Sequence, residues 1–195
     1  MGNLVVGGSF NPIHHGHLLC ARAAAEAAGL GGVILMPSRS PPHKPNDPAL
    51  AAAEDRLAMC RLAVGWTSGF SVDDREIRRT GPSYTIDTVR ELRQQGWPAV
   101  HWMIGADMLL SLPTWHQSRE LIDEARFVII ARPGRTIDWS QLAEPFRRLR
   151  ESVVTAPLID ISATDIRARV AAGQPIDFMT PPGVVDYIRS RGIYR

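Results

Sequence analysis

Six short apolar runs separated by longer amphipathic stretches leave this chain few folds to choose from. The runs are residues 4–6, 33–36, 70–72, 100–104, 127–130 and 153–155, and several are apolar throughout, as strands buried on both faces are. Helix candidates lie between them at 16–28, 50–64 and 86–95, each followed by a glycine (Gly29, Gly65, Gly96) where a C-cap is needed. Such alternation predicts stacked βαβ units: an α/β, Rossmann-like, doubly wound parallel sheet with flanking helices. Nearer the end, ISATDIRARVAAG reads as a helix with Ser162 as N-cap, Asp165 completing a capping box and Gly173 closing it, and another helix follows Pro182. Residues 38–48 are proline-rich and aperiodic, hence a loop.

At 195 residues and 45% hydrophobic content, the chain is expected to form one domain, 1–195, with the helical portion from about 162 packed onto it. MGNLVVGGSF has neither the basic lead-in of a secretory signal nor the length of a membrane span, so it reads as a buried first strand. Cys20 and Cys60 lie in helical stretches and fit reduced core thiols of a cytoplasmic protein. A net charge of +2 gives no ground for a nucleic-acid partner, and no membrane partner is expected; the oligomeric state is left open. Lys44 is the only lysine among 22 Lys and Arg residues. It is either a chance survivor of an arginine-biased composition or a compact ammonium suited to a polyphosphate. Trp66, Trp97, Trp102 and Trp139 lie outside the motifs that follow and read as structural.

The chemistry concentrates where the first strand turns into the first helix. Gly7 and Gly8 end the strand and Gly16 and His17 open the helix, a crossover that binds phosphates in such folds. The glycines let backbone approach a ligand, Pro12 restrains the turn, and His14 and His17, three apart, project from one side toward one phosphate chain. A metal triad of His14, His17 and Cys20 is the alternative use of these side chains, and a structural role for the histidines another.

GGSFNPIHHGH resembles the HxGH signature of the nucleotidylyltransferase superfamily, and ISATDIR, with Ser162, Thr164 and Arg167, its second signature, with alanine at 163 as a departure. PPHK (41–44), GPSYT (81–85), IGAD (104–107), PTW (113–115) and RPG (132–134) stand in the order of bacterial nicotinate mononucleotide adenylyltransferase. The resemblance runs over essentially the whole chain. It implies transfer of AMP from ATP to nicotinate mononucleotide, giving nicotinate adenine dinucleotide and pyrophosphate. It further implies that His17 and His14 contact the triphosphate at the reacting phosphorus and that Lys44 and Arg167 hold the outer phosphates. Mg²⁺ then arrives carried by ATP, and no residue is assigned as a metal ligand. ATP is otherwise held by Gly105, Asp107, Arg132, Ser162, Thr164 and the backbone of Gly7, Gly8, Ser9 and Phe10. Nicotinate mononucleotide falls to Tyr84, Thr85 and Trp115, its carboxylate meeting the amides at the helix start near Thr85.

Blander roles stand beside these. Asp107 also fits an N-cap of a short helix starting at Met108, and Trp115 also fits core packing. GPSYT and PTW count against a phosphopantetheine acceptor, whereas a preference for the acid over the amidated mononucleotide is an expectation. A nucleotide sensor without catalysis is the rival from another class. The presence of both histidines, Lys44 and Arg167 speaks against it.

Overall fold

All six strands form, within a residue or two of their expected limits. They are β1 (Asn3–Gly8), β2 (Gly32–Pro37), β3 (Phe70–Val72), β4 (His101–Gly105), β5 (Arg126–Ala131) and β6 (Val153–Thr155). The computed structural model describes residues 2–42, 47–131 and 137–195. The strands form one sheet in the order β3-β2-β1-β4-β5-β6, with β1–β4, β4–β5 and β5–β6 pairing in parallel. This is the doubly wound order, which reverses at β1 and β4; ligands in such sheets bind outside the carboxyl ends of the strands at the reversal. The segments leaving β1 and β4 are the ones that carry HxGH and IGAD.

The helices are α1 (His15–Ala27), α2 (Ala53–Val64), α3 (Arg75–Arg78), α4 (Thr85–Gln94), α5 (Ala106–Leu109), α6 (Ser118–Glu124), α7 (Ala163–Ala171) and α8 (Pro182–Arg191). Gly29, Gly96 and Gly173 have φ of 65°, 89° and 66°, the left-handed conformation that ends a helix at little cost only in glycine. Gly65 is the C-cap expected of α2, but its φ is −62°, which any residue adopts, and what favours glycine there is the Arg61 carbonyl 3.0 Å from where a Cβ would stand. The expected helix 50–64 begins only at Ala53. Its missing turn is held open because the Asn11 amide accepts from Ala51 N and donates to Ala49 O.

The chain packs as two compact units. The first (1–7, 20–33 and 84–158) buries Leu4, Val5, Trp102, Ile104, Phe127 and Ile129 around β1, β4 and β5. The second (8–19, 34–83 and 159–195) is built on Phe10, Ile13, Leu35, Met36, Met59, Ile166 and Val184. Of the tryptophans read as structural, Trp102 is buried, and Trp139 is part-buried with the Arg150 guanidinium 5.5 Å over its ring. Trp97 is also part-buried, but Trp66, 75% exposed just past the end of α2, is no core residue. Neither cysteine is in a disulfide. Burial pushes the Cys60 thiol up, whereas Cys20 is only half-buried and donates to the Pro157 carbonyl at 3.7 Å. Among the described residues no helix is long and apolar enough to cross a membrane.

Candidate active site

In the second unit, the chain leaving β1 makes a turn fixed from several sides. Phe10 has φ 45°, a left-handed conformation that costs a bulky residue on the order of 1 kcal/mol. It is held there because its ring is buried, 3% exposed, and packs edge-on against His17 with centroids 5.3 Å apart. The Asn11–Pro12 peptide is cis. Thr180 donates to the Ile13 carbonyl at 2.8 Å, and His15 N to the Met179 carbonyl at 3.1 Å. The His14 carbonyl accepts from His17 N and Leu18 N, so His14 stands just before α1 and its side chain, as the spacing predicts, meets that of His17.

The two imidazoles stack, with centroids 3.7 Å apart and planes at 27°. In each, Nδ1 is buried without a hydrogen bond. Among the described residues the one other such atom is Nδ1 of His101, at the start of β4. A buried polar atom without a partner costs about 1–3 kcal/mol. Two of them side by side at a strand-to-helix turn form a site that gains by receiving a polar ligand. Burial first, and then nearby His15, lowers His14 from 6.5 to about 4; burial, and then His14, lowers His17 to about 3. Both rings are therefore neutral at pH 7, and both can hydrogen-bond an anion.

This has a measurable consequence. Unfolded imidazoles take up protons as pH drops below about 6.5, while the folded rings resist until about 4 and 3. The unfolded state then binds more protons, so stability is full above pH 6.5 and falls as pH drops from 6.5 toward 4. For His14 alone, with a folded pKa of about 4, the loss is on the order of 3 kcal/mol. Urea midpoints at pH 7 and pH 4.5 should differ less in a His14→Gln variant than in the parent; parallel losses in the two proteins would mean that His14 is not their source.

The second signature supplies a cation to the same unit. Ser162 is the N-cap of α7, accepting from Asp165 N at 3.0 Å, and its hydroxyl donates to Asp165 Oδ2 at 2.7 Å. The reciprocal bond thus joins two side chains, where a capping box would return it to the Ser162 backbone. Arg167, one turn on, donates to the Asn11 carbonyl at 2.8 Å and to Thr164 Oγ1 at 3.4 Å. His14, His17, Thr164 and Arg167 are brought together around the turn 8–17. Lys44 lies outside the described residues, as does Arg132. Among the described residues, no three His, Cys, Asp or Glu side chains group as a metal site.

The remaining predicted residues belong to the first unit. Gly105 is the N-cap of α5 and Asp107 falls in its first turn. The helix starts at Ala106, so the expected N-cap role of Asp107 is replaced by a carboxylate facing the positive end of a helix. Thr85 opens α4 and Tyr84 precedes it as N-cap. The Tyr84 ring stacks on His116, 4.3 Å between centroids. Trp115, half-buried, donates to Ser111 Oγ at 3.4 Å, and so lies neither in the core nor wholly in solvent. Gln117, in the left-handed conformation at φ 48°, accepts from Arg90 Nη1 at 2.7 Å, while Arg90 also clasps Glu124 Oε1 through Nε at 3.0 Å and Nη2 at 2.9 Å. Gly7 serves packing: a Cβ there would stand 2.5 Å from Trp102 Cζ2, which by itself requires glycine, whatever binds nearby.

Residues 5–169 match the cytidylyltransferase-like family model. Over 193 residues the chain is 42% identical to a Roseiflexus sp. (strain RS-1) protein named "Probable nicotinate-nucleotide adenylyltransferase", covering 98% of this chain and 96% of that one. A protein of the same name from Gloeobacter violaceus is 40% identical over 197 residues, covering 97% and 94% of the two chains. The chain belongs to the nicotinate-nucleotide adenylyltransferase family. Its fold is also that of Plasmodium falciparum nicotinic acid mononucleotide adenylyltransferase complexed with NaAD, at TM-score 0.76 and 19% identity, covering 100% of this chain and 98% of that one. Both signatures lie within the family match. Arg56, Asn11 and Tyr194, to which the sequence assigned no role, join the histidine turn in the second unit through hydrogen bonds, and His116 joins Tyr84 in the first. Asn11 is the one that a motif could have flagged, since it stands inside SFNP.

Proposed function

We infer that the chain transfers the adenylyl group of ATP to the phosphate of nicotinate mononucleotide. An acceptor phosphate oxygen forms a bond to the α-phosphorus, the bond from that phosphorus to the bridging oxygen breaks, and pyrophosphate leaves. No covalent nucleophile is needed, because the acceptor is already an anion. What the protein supplies is placement and stabilisation of charge on the leaving group. Magnesium enters as part of the MgATP substrate and screens the two anions from each other.

The observation that carries this reading is the stacked His14–His17 pair, with both Nδ1 atoms buried and unpartnered beside Arg167. His17 is assigned to stabilise the transition state, with His14 on the same phosphate chain. Arg167, together with Lys44, holds the outer phosphates, and Ser162 and Thr164 are assigned to ATP beside it, Thr164 also accepting from Arg167. Gly105, Asp107, Arg132 and the backbone of residues 7–10 are assigned to the rest of ATP. Tyr84, Thr85 and Trp115 are assigned to the acceptor: its carboxylate meets the amides at the start of α4, where the helix dipole favours an anion, and its ring stacks on an aromatic face. The chain works as a single nucleotidyltransferase domain in the cytoplasm, with no nucleic acid or membrane partner.

Incubation with MgATP and nicotinate mononucleotide should release pyrophosphate, and kcat/KM should be higher for the acid than for the amidated mononucleotide. Comparable values for the two would overturn the acid assignment. Absence of release above a His17→Ala control would overturn the reaction.

A further inference from the structure

Among the described residues, the largest fully buried side chain is a charged one. Arg56, in α2 and 0% exposed, has no carboxylate among its hydrogen-bond acceptors in the described residues; four backbone carbonyls share its donors. Nη1 reaches Ser9 O and Ser38 O, each at 2.7 Å, Nη2 reaches Arg39 O at 3.1 Å and Nε reaches Ala51 O at 2.9 Å. Removing a guanidinium from water is expensive unless every donor is satisfied, and an apolar side chain would fill the same space without that cost. The charge is therefore useful for what it holds.

It holds two chain segments that start the site. Ser9 is the first residue after β1 and leads into the left-handed Phe10 and the histidine turn, while Ser38 and Arg39 directly follow β2. The two segments also bond directly, Ser38 N to Gly8 O at 3.0 Å. Asn11 completes the ring: its side chain binds Ala49 O and Ala51 N, its Oδ1 accepts from Tyr194 OH at 2.7 Å, and its carbonyl accepts from Arg167. Burial lowers the Arg56 pKa only from the top of the scale, and a guanidinium stays charged there.

We propose that Arg56 is a positioning residue for adenylyl transfer, fixing the segments after β1 and β2 through the carbonyls of Ser9, Ser38 and Arg39 so that the histidine turn keeps one position against the end of β2. It touches no substrate and acts through the backbone. The proposal rests on the reading of residues 8–17 as the phosphate site, and the experiment separates the two. Arg56→Lys keeps the charge but cannot reach carbonyls on several sides at once. With a melting temperature and far-UV spectrum showing a folded protein, its kcat should fall at least tenfold while KM for nicotinate mononucleotide stays within about threefold. Arg56→Ala should recover part of that kcat in millimolar guanidinium, and none in urea at equal concentration. A folded Arg56→Lys protein with kcat within twofold of the parent overturns the proposal, as does an Arg56→Ala protein that guanidinium does not rescue. If neither variant folds, amide exchange in the native protein decides: residues 9–13 and 38–40 should open as one unit, and independent exchange overturns it. His17→Ala measured in parallel marks the other boundary. Loss at His17 with none at Arg56 sinks only the positioning role, and no loss at His17 removes the phosphate-site reading itself.

Discussion

Pyrophosphate release by a His17→Ala variant falls by about 10²- to 10³-fold in kcat, the usual cost of removing one transition-state hydrogen-bond donor. The KM values for both substrates change little, because a group that acts mainly on developing charge contributes little to ground-state binding. The fold should survive. Among the described residues His17 Nδ1 makes no hydrogen bond whose loss would destabilise the protein, and its ring packs edge-on to Phe10 and face-on to His14. Removing an imidazole whose folded pKa is held at about 3 should even lessen the loss of stability in mild acid. Steady-state kinetics with a melting curve on the same preparation check this. A variant that raises KM for ATP while leaving kcat intact would make His17 a binding group only.

The second large effect is on stability. Gly7→Ala places a methyl group 2.5 Å from Trp102 Cζ2, closer than any real contact, and the indole is 3% exposed with little room to move. Overpacking of this kind costs about 1–3 kcal/mol. Because the clash is with one side chain, it should be coupled to it. Trp102→Phe alone opens a cavity and destabilises, yet in the Gly7→Ala background it removes the obstacle, so the double variant should be more stable than the sum of the single losses predicts, by about 1 kcal/mol. Additive urea-unfolding free energies across the cycle would rule out the indole as the reason for Gly7.

What could be read from the sequence was what local pattern and motif spacing encode. Apolar runs mark β1, β2, β4 and β5 because these strands are buried, and the edge strands β3 and β6 are shorter runs that are only part-buried; glycines 29, 96 and 173 mark helix ends because φ above zero selects for glycine. His14 and His17 meet because three residues is one turn. The Asp107 cap and the start of α2 were misplaced because Gly105 takes the cap and Asn11 competes for the backbone of residues 49–51. At Gly65 and Gly7 the structure adds a reason no local pattern carries, the close approach of a carbonyl and of an indole. Trp66 has the composition of a core residue and the position of a helix end. The bracing network around Arg56 was invisible because its bonds join Asn11 to Tyr194 and Arg56 to Ser9, far apart in sequence, and nothing local requires them.

The clasp of Arg90 on Gln117 and Glu124 bears on how acceptor choice is inherited. An exposed ion pair contributes little to global stability, but this one ties the helix that starts at Thr85 to the residue two beyond Trp115. GPSYT and PTW, distant in sequence, are thereby parts of one lever, and moving either end shifts the other. If, as proposed, Tyr84, Thr85 and Trp115 hold the acceptor, a change of acceptor needs the whole block 84–124, and a graft of either motif alone would set the new aromatic at the angle dictated by the old helix.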